Sequence, residues 1–225
     1  MTLVTRFICG LFVVAVLTTG CAEQGYGQRK NDNILDRQVS GVTINESSIA
    51  IALSRIAAEF QIPIGLEVAA KEANLDDKPI SVFFEKATLR EILNAIVKLD
   101  SRYCWQVAGR AINVNPCGRG DSLLKGLLDT KIEEFSSGAN PTVYRLRYDI
   151  LKIPEVNSVI ERAGVTPFVV ALSGADYEST GQGFSMNASD IILRDLLNQI
   201  VSRSDLKFWI LTRYGKNNEL LILNF

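Results

Sequence analysis

Residues Pro79 to Asn115 read PISVFFEKATLREILNAIVKLDSRYCWQVAGRAINVN. The run Ile80 to Phe84 is strand-like. From Thr88 the apolar spacing lengthens, and Leu89, Ile92, Leu93, Ile96 and Leu99 fall on one side of a helix. Thr88 followed three positions later by Glu91 is a capping box. Two further strand-like runs, Tyr103 to Val107 and Ala111 to Asn115, make a hairpin turning at Gly109.

The pattern returns 104 positions later as GFSMNASDIILRDLLNQIVSRSDLKFWILTRYGKNNELLILNF, Gly183 to Phe225. Ser81, Leu89, Arg90, Leu93, Asn94, Ile96, Val97 and Trp105 meet identical residues, eight in 26 aligned positions. Unrelated segments would give roughly one or two, so the chain carries an internal repeat. The capping box is lost in the second copy, where Ile192 stands at the place of Thr88, and Ser189 becomes the expected cap.

Working upstream, Val42 to Ile44 alternates as a strand, and Asn45 and the serines after it can cap a helix. Ile49, Leu53, Ile56 and Phe60 give that helix one apolar stripe, Pro63 stops it, and Ile62 to Val68 is the next strand. Ala69 to Lys78 is a charged loop. The first module, 41–117, therefore runs β-α-β-β-α-β-β, an α+β arrangement of two helices on a short mixed sheet. The second module, 143–225, opens with a strand at Val143 to Tyr148. A helix from Pro154 to Gly164 follows, then a strand at Phe168 to Leu172 and a polar loop at Ser173 to Gln182. A helix at Asp190 to Ser202 and the hairpin Phe208 to Leu211 with Leu220 to Asn224 complete it. Residues 118–142 read as a linker holding the apolar pairs Leu123-Leu124 and Leu127-Leu128 and a strand-like run, Lys131 to Phe135.

Residues 1–22 place Arg6 before an apolar run, Phe7 to Leu17, too short for a typical spanning helix of about 20 residues. This is the pattern of a secretory signal, an uncleaved anchor being the alternative. Residues 23–40 are a polar tether. The segment Leu17-Thr18-Thr19-Gly20-Cys21 resembles a bacterial lipoprotein lipobox, displaced by one position because Thr18 stands where leucine is usual. The resemblance implies acylation of Cys21 and, with Ala22 rather than aspartate following, an outer-membrane anchor facing the periplasm. Ordinary cleavage after Gly20 or Ala22 is the other route. Export permits a disulfide between Cys104 and Cys117. A turn at Gly109 sets Cys104 opposite Val114, out of direct register with Cys117 unless the chain folds back after Pro116.

The chemistry-bearing features are few. The chain has no histidine, which removes the commonest general base and zinc ligand. A net charge of −1 gives no field favouring nucleic acid. Ser122-Leu123-Leu124-Lys125 matches the S-x-x-K phrase of penicillin-interacting serine enzymes, but its companion motifs are missing. Arg119-Gly120-Asp121, Gly181-Gln182-Gly183, Asp76-Asp77 and Glu133-Glu134 read as ordinary loop and surface residues. Trp105 and Trp209 read as core. No catalytic, cofactor or metal residue is expected.

The phrases IPIGLEV, PISVFF, ATLREILNAIV and YCWQVAGRAINVN together resemble the short N-terminal domain of secretins and TonB-dependent receptors. The likeness covers 41–117 well and the second copy more weakly. It implies a non-enzymatic periplasmic interaction module, an accessory or regulatory partner of an envelope secretion, pilus or TonB-type system. Membrane contact would come only through the lipid anchor, and an exposed strand edge would do the docking. Two alternatives stand beside it. One is a binding protein for cell-wall glycan or a small ligand in the groove between modules. The remote one is a serine hydrolase using Ser122 and Lys125.

Overall fold

The computed structural model describes residues 33–69, 78–118, 120–168, 184–215, 217 and 219–225. The signal segment with Cys9 and Cys21, most of the tether, Asp76, Asp77, Arg119 and 169–183 lie outside the described residues. The fold is α+β. A short 3-10 helix, Ile34–Asp36, leads into β1 (Gln38–Glu46), α1 (Ile49–Phe60), β2 (Ile64–Glu67) and β3 (Ile80–Thr88). Then come α2 (Leu89–Leu99), β4 (Tyr103–Ala108), β5 (Ala111–Pro116), α3 (Ser122–Leu128), β6 (Lys131–Ala139) and α4 (Val143–Leu151). The chain ends with α5 (Pro154–Ala163), β7 (Thr166–Pro167), β8 (Ser185–Ile192), α6 (Leu193–Arg203), β9 (Phe208–Tyr214) and β10 (Leu220–Asn224).

Local chemistry explains the elements. Ser48 caps α1 by accepting from the Ile51 N–H, and Gln61 ends it in the left-handed region. Both halves of the capping box form at α2: Glu91 N–H donates to Thr88 Oγ1, and Thr88 N–H donates to Glu91 Oε2 at 2.7 Å. Accepting that backbone hydrogen bond holds the Glu91 carboxyl below its ordinary value. Leu89, Ile92, Leu93 and Ile96 are buried, each contributing about 1.5–3 kcal/mol.

The two copies do not make separate sheets. One six-stranded sheet has the order β4-β5-β2-β9-β10-β7, three strands from each copy. Strands β2, β5 and β9 run one way and β4, β10 and β7 the other. Ile64, Leu66, Ile112 and Val114 pack with α1 and α2 on one face, while Trp209, Leu211, Leu221 and Leu223 pack with α4, α5 and α6 on the other. The second copy is thus the first moved along the sheet and turned over, reversing strand direction and helix-bearing face together. Two antiparallel pairs, β1·β3 and β6·β8, flank this sheet, one per copy.

The seam between copies is the parallel pair β2·β9, with Gly65 opposite Trp209. Ile64 N–H donates to the Lys207 carbonyl at 2.8 Å and Val68 N–H to the Leu211 carbonyl at 3.0 Å. The Trp209 indole covers Gly65 so closely that a Cβ there would lie 2.1 Å from Cε2. Glu67, at the end of β2, meets Arg194 of α6 at 2.8 Å, with both side chains largely buried.

Several expectations are corrected. Val143–Tyr148 is the helix α4, not a strand. Thr142 caps it through the Arg145 N–H, and Val143, Leu146, Arg147, Ile150 and Leu151 form its buried face. Alternation over six residues mimicked a strand, and the continuation to Leu151 decides for the 3.6 period. Ser189 is not a cap but part of β8. Ile192 stands at the N-cap without a side-chain bond, and the first helical N–H, from Leu193, donates to the Thr130 carbonyl. The residues read as a linker contain α3 and β6. Strand β6 is the counterpart of β1: Gln38 pairs with Thr88 as Lys131 pairs with Ile192. The tether likewise gives up Ile34–Asp36 and the start of β1 to structure. Of the expected strand Phe168–Leu172, only Phe168 is among the described residues, and it lies just past the short strand β7, Thr166–Pro167.

Candidate functional site

Strand β4 ends the six-stranded sheet, pairing with β5 and with nothing on its other side among the described residues. Its turn is Gly109-Arg110, with Gly109 at φ +61°, the conformation a two-residue hairpin favours in its first central position. Ala108 therefore faces Ala111, and Cys104 faces Asn115 rather than Val114. The one-residue difference arises because two residues, not one, make the turn. The chain does fold back beyond Pro116: Cys117 N–H donates to the Arg102 carbonyl at 2.8 Å. Cys104 and Cys117 are joined in a disulfide, with Cα atoms 5.0 Å apart.

The start of β4 is also pinned by Asp100, which is fully buried. Burial pushes its carboxyl pKa up, but three hydrogen bonds from Arg102 and its charge outweigh this and leave it below the ordinary value. Tyr103 is buried and its hydroxyl accepts from the Ala69 N–H. Beyond this anchor the edge opens. Cys104 and Gln106 are exposed, and Val107 is 55% exposed. Trp105 is half-buried. Its Nε1–H donates to Asn94 Oδ1 on α2 at 3.0 Å, and the Arg90 guanidinium lies 5.9 Å from the ring centre. Arg90 also pairs with Asp36 at 3.2 Å.

A second feature lies where the β4–β5 turn meets α6. A cavity of about 450 Å³ is lined by Gly109, Arg110, Asp195, Asn198, Gln199 and Arg203, among others. Asn198 accepts from Trp209 Nε1–H at 2.9 Å while its own Nδ2 is buried without a partner. Asn113 Oδ1 is likewise buried and unpartnered.

Ser122 and Lys125 stand exposed on α3, a seven-residue helix. Asp121 caps that helix and pairs with Arg213 at 2.9 Å. Glu133 and Glu134 are exposed on β6. Cys21 is outside the described residues. Among the described residues no helix is long and apolar enough to cross a membrane. The identity of the open edge, Gly65 and the Glu67–Arg194 pair escaped the sequence reading. The signal was present in the repeat: Arg90 with Arg194 and Asn94 with Asn198 are polar identities, which core packing alone does not require.

Comparison with protein-family models, curated proteins and solved structures finds no match to this chain.

Proposed function

We propose that this chain is a non-enzymatic, exported interaction module that docks an envelope protein along the β4 edge. The carrying observation is the edge itself. Its sequence, Tyr-Cys-Trp-Gln-Val-Ala, contains no charged residue and no proline, the usual guards of an exposed edge. The opposite edge of the sheet, β7, is two residues long and contains Pro167. An unguarded strand offers backbone hydrogen bonds to an extended segment, with side-chain pockets for selectivity. The likeness to the secretin and TonB-receptor short N-terminal domain supports a secretin, pilus or TonB-system component as partner. The lipobox-like segment supports a periplasmic location with an outer-membrane anchor at Cys21.

A photo-crosslinking residue in place of exposed Gln106, used in the native cell, tests the reading. One envelope protein should be captured, and capture should fail when Val107→Pro removes an outward-facing N–H. Equal capture from a probe at exposed Tyr214 would refute it. Ligand binding in the 450 Å³ cavity is the second reading, favoured by the unpartnered Asn198 amide. Saturable heat on titration with cell-wall glycan fragments, lost in Asp195→Ala, would establish it instead.

A further inference from the structure

The seam inside the chain shows what the β4 edge is shaped to receive. In the second copy, β9 takes a parallel strand, β2, through three features. The Trp209 indole, held by Asn198, lies over Gly65. Arg194 takes Glu67 at 2.8 Å while Asp129 stands 4.0 Å away. Leu211 is covered, being 1% exposed.

The first copy carries the same set. Trp105 is held by Asn94 with the same bond. Arg90 is the counterpart of Arg194, and Asp36 of Asp129. Each aspartate stands two residues before its strand, β1 or β6, and the residue between them accepts the first N–H of α2 or α6. Val107 is the counterpart of Leu211 and is 55% exposed. What the first copy lacks is the strand. Besides the Trp105 ring, Arg90 meets the exposed Asp36 but no strand carboxylate among the described residues, and Trp105 is half-uncovered.

Resting on the docking reading above, we infer that β4 accepts a partner segment running parallel to it with the pattern aliphatic–Gly–aliphatic–acidic. The glycine would lie under Trp105 and the carboxylate against Arg90. An incoming N–H group would reach the carbonyl of Val107, the counterpart of Leu211. Among the described residues, a second copy of this chain does not supply that strand. Its β2 is already paired with its own β9. Its β7 carries Phe168 four residues past the helix cap Gly164, the place Gly65 holds after Gln61. A phenylalanine there would collide with the indole. The partner is therefore a different protein.

The test is titration of the purified chain with a peptide of its own Gln61–Val68 sequence, QIPIGLEV, bearing a soluble tail. Trp209 is already fully buried, so a saturable blue shift of tryptophan emission, absent in Trp105→Phe, reports cover over Trp105. Peptides with Gly65→Val or Glu67→Lys should each bind about tenfold or more weakly. The Arg90→Glu protein should recover the Glu67→Lys peptide and reject the native one, an exchange that a merely structural Arg90 would not show. If all peptides bind alike, or none binds while Gln106 still crosslinks, the pattern is wrong and the edge reading stands. If no peptide binds and no crosslink forms, both fall. Concentration-dependent dimers that bury Trp105 without peptide would overturn the assignment to a different protein.

Discussion

One added methyl group at Gly65 tests the seam that holds the two copies together. In Gly65→Ala the new Cβ would lie 2.1 Å from Cε2, 2.2 Å from Cζ2 and 2.4 Å from Nε1 of Trp209. Carbon atoms pack at about 3.5–4.0 Å, so the indole must retreat by roughly 1.5 Å. It has nowhere to go, being fully buried and bonded to Asn198 at 2.9 Å. Overpacking of this kind costs about 1–3 kcal/mol. Pulling Nε1–H away from Asn198 Oδ1 in a buried site adds about 1–3 kcal/mol. We expect a loss near 4 kcal/mol, a large part of the roughly 5–15 kcal/mol that holds a domain folded. Urea unfolding followed by far-ultraviolet circular dichroism would read this as a fall in midpoint at unchanged slope. Trp209→Leu removes all three clashing atoms, so in that background Gly65→Ala should cost under about 1 kcal/mol. A single variant within about 0.5 kcal/mol of the native chain, or an undiminished cost in the leucine background, would refute the reasoning.

Other expectations follow from the same contacts. Arg194→Ala leaves the buried Glu67 carboxylate without its cation and should cost about 3–5 kcal/mol. Arg90→Ala, whose pair with Asp36 is exposed, should cost under about 1 kcal/mol, both read by the same urea unfolding. Cys104→Ser or Cys117→Ser, or reduction of the native chain, should lower stability by about 3 kcal/mol for a bridge of sequence separation 13, measured by urea unfolding with and without reductant. Asp100 has a depressed folded pKa, so its contribution is complete above the ordinary aspartate value of about 3.9 and is lost as pH falls through the folded one. Asp100→Asn should therefore be less stable by about 1–3 kcal/mol at pH 7, with the difference closing in acid, as paired melts across pH 2–7 would show.

Much of the first copy was legible because its local signals agree. The Thr88–Glu91 box, the stripe from Leu89 to Ile96 and the glycine turn each point to the same element boundaries. The second copy obscured itself where side-chain signals were replaced by backbone ones. Ile192 cannot cap, and α6 begins where the Thr130 carbonyl receives it, which no local residue pattern announces. Strand β6 was hidden because it follows β1 by 93 positions rather than 104, the difference falling in the longer helical stretch of the second copy. The shared sheet was beyond reach for another reason. Periodicity says which face of a strand is apolar but not which strand lies beside it, and Gly65 reads as a weak strand residue until Trp209 is seen above it. The candidate edge inherits that limit: Val107 and Leu211 look alike in sequence and differ only in what covers them.

Parallel pairing at the seam also governs how the chain reaches its native state. Strand β2 joins β9 across 144 positions of sequence, with Ile64 beside Phe208. Closing so long a loop is entropically unfavourable until its contacts form, which slows folding. The first copy can gather its local helices and hairpin early, yet its β2 stays uncovered on one side until nearly the whole chain has been delivered. Refolding should therefore end in a slow phase in which Trp209 becomes buried, and a nascent chain stopped before Phe208 would leave an open strand exposed to its neighbours.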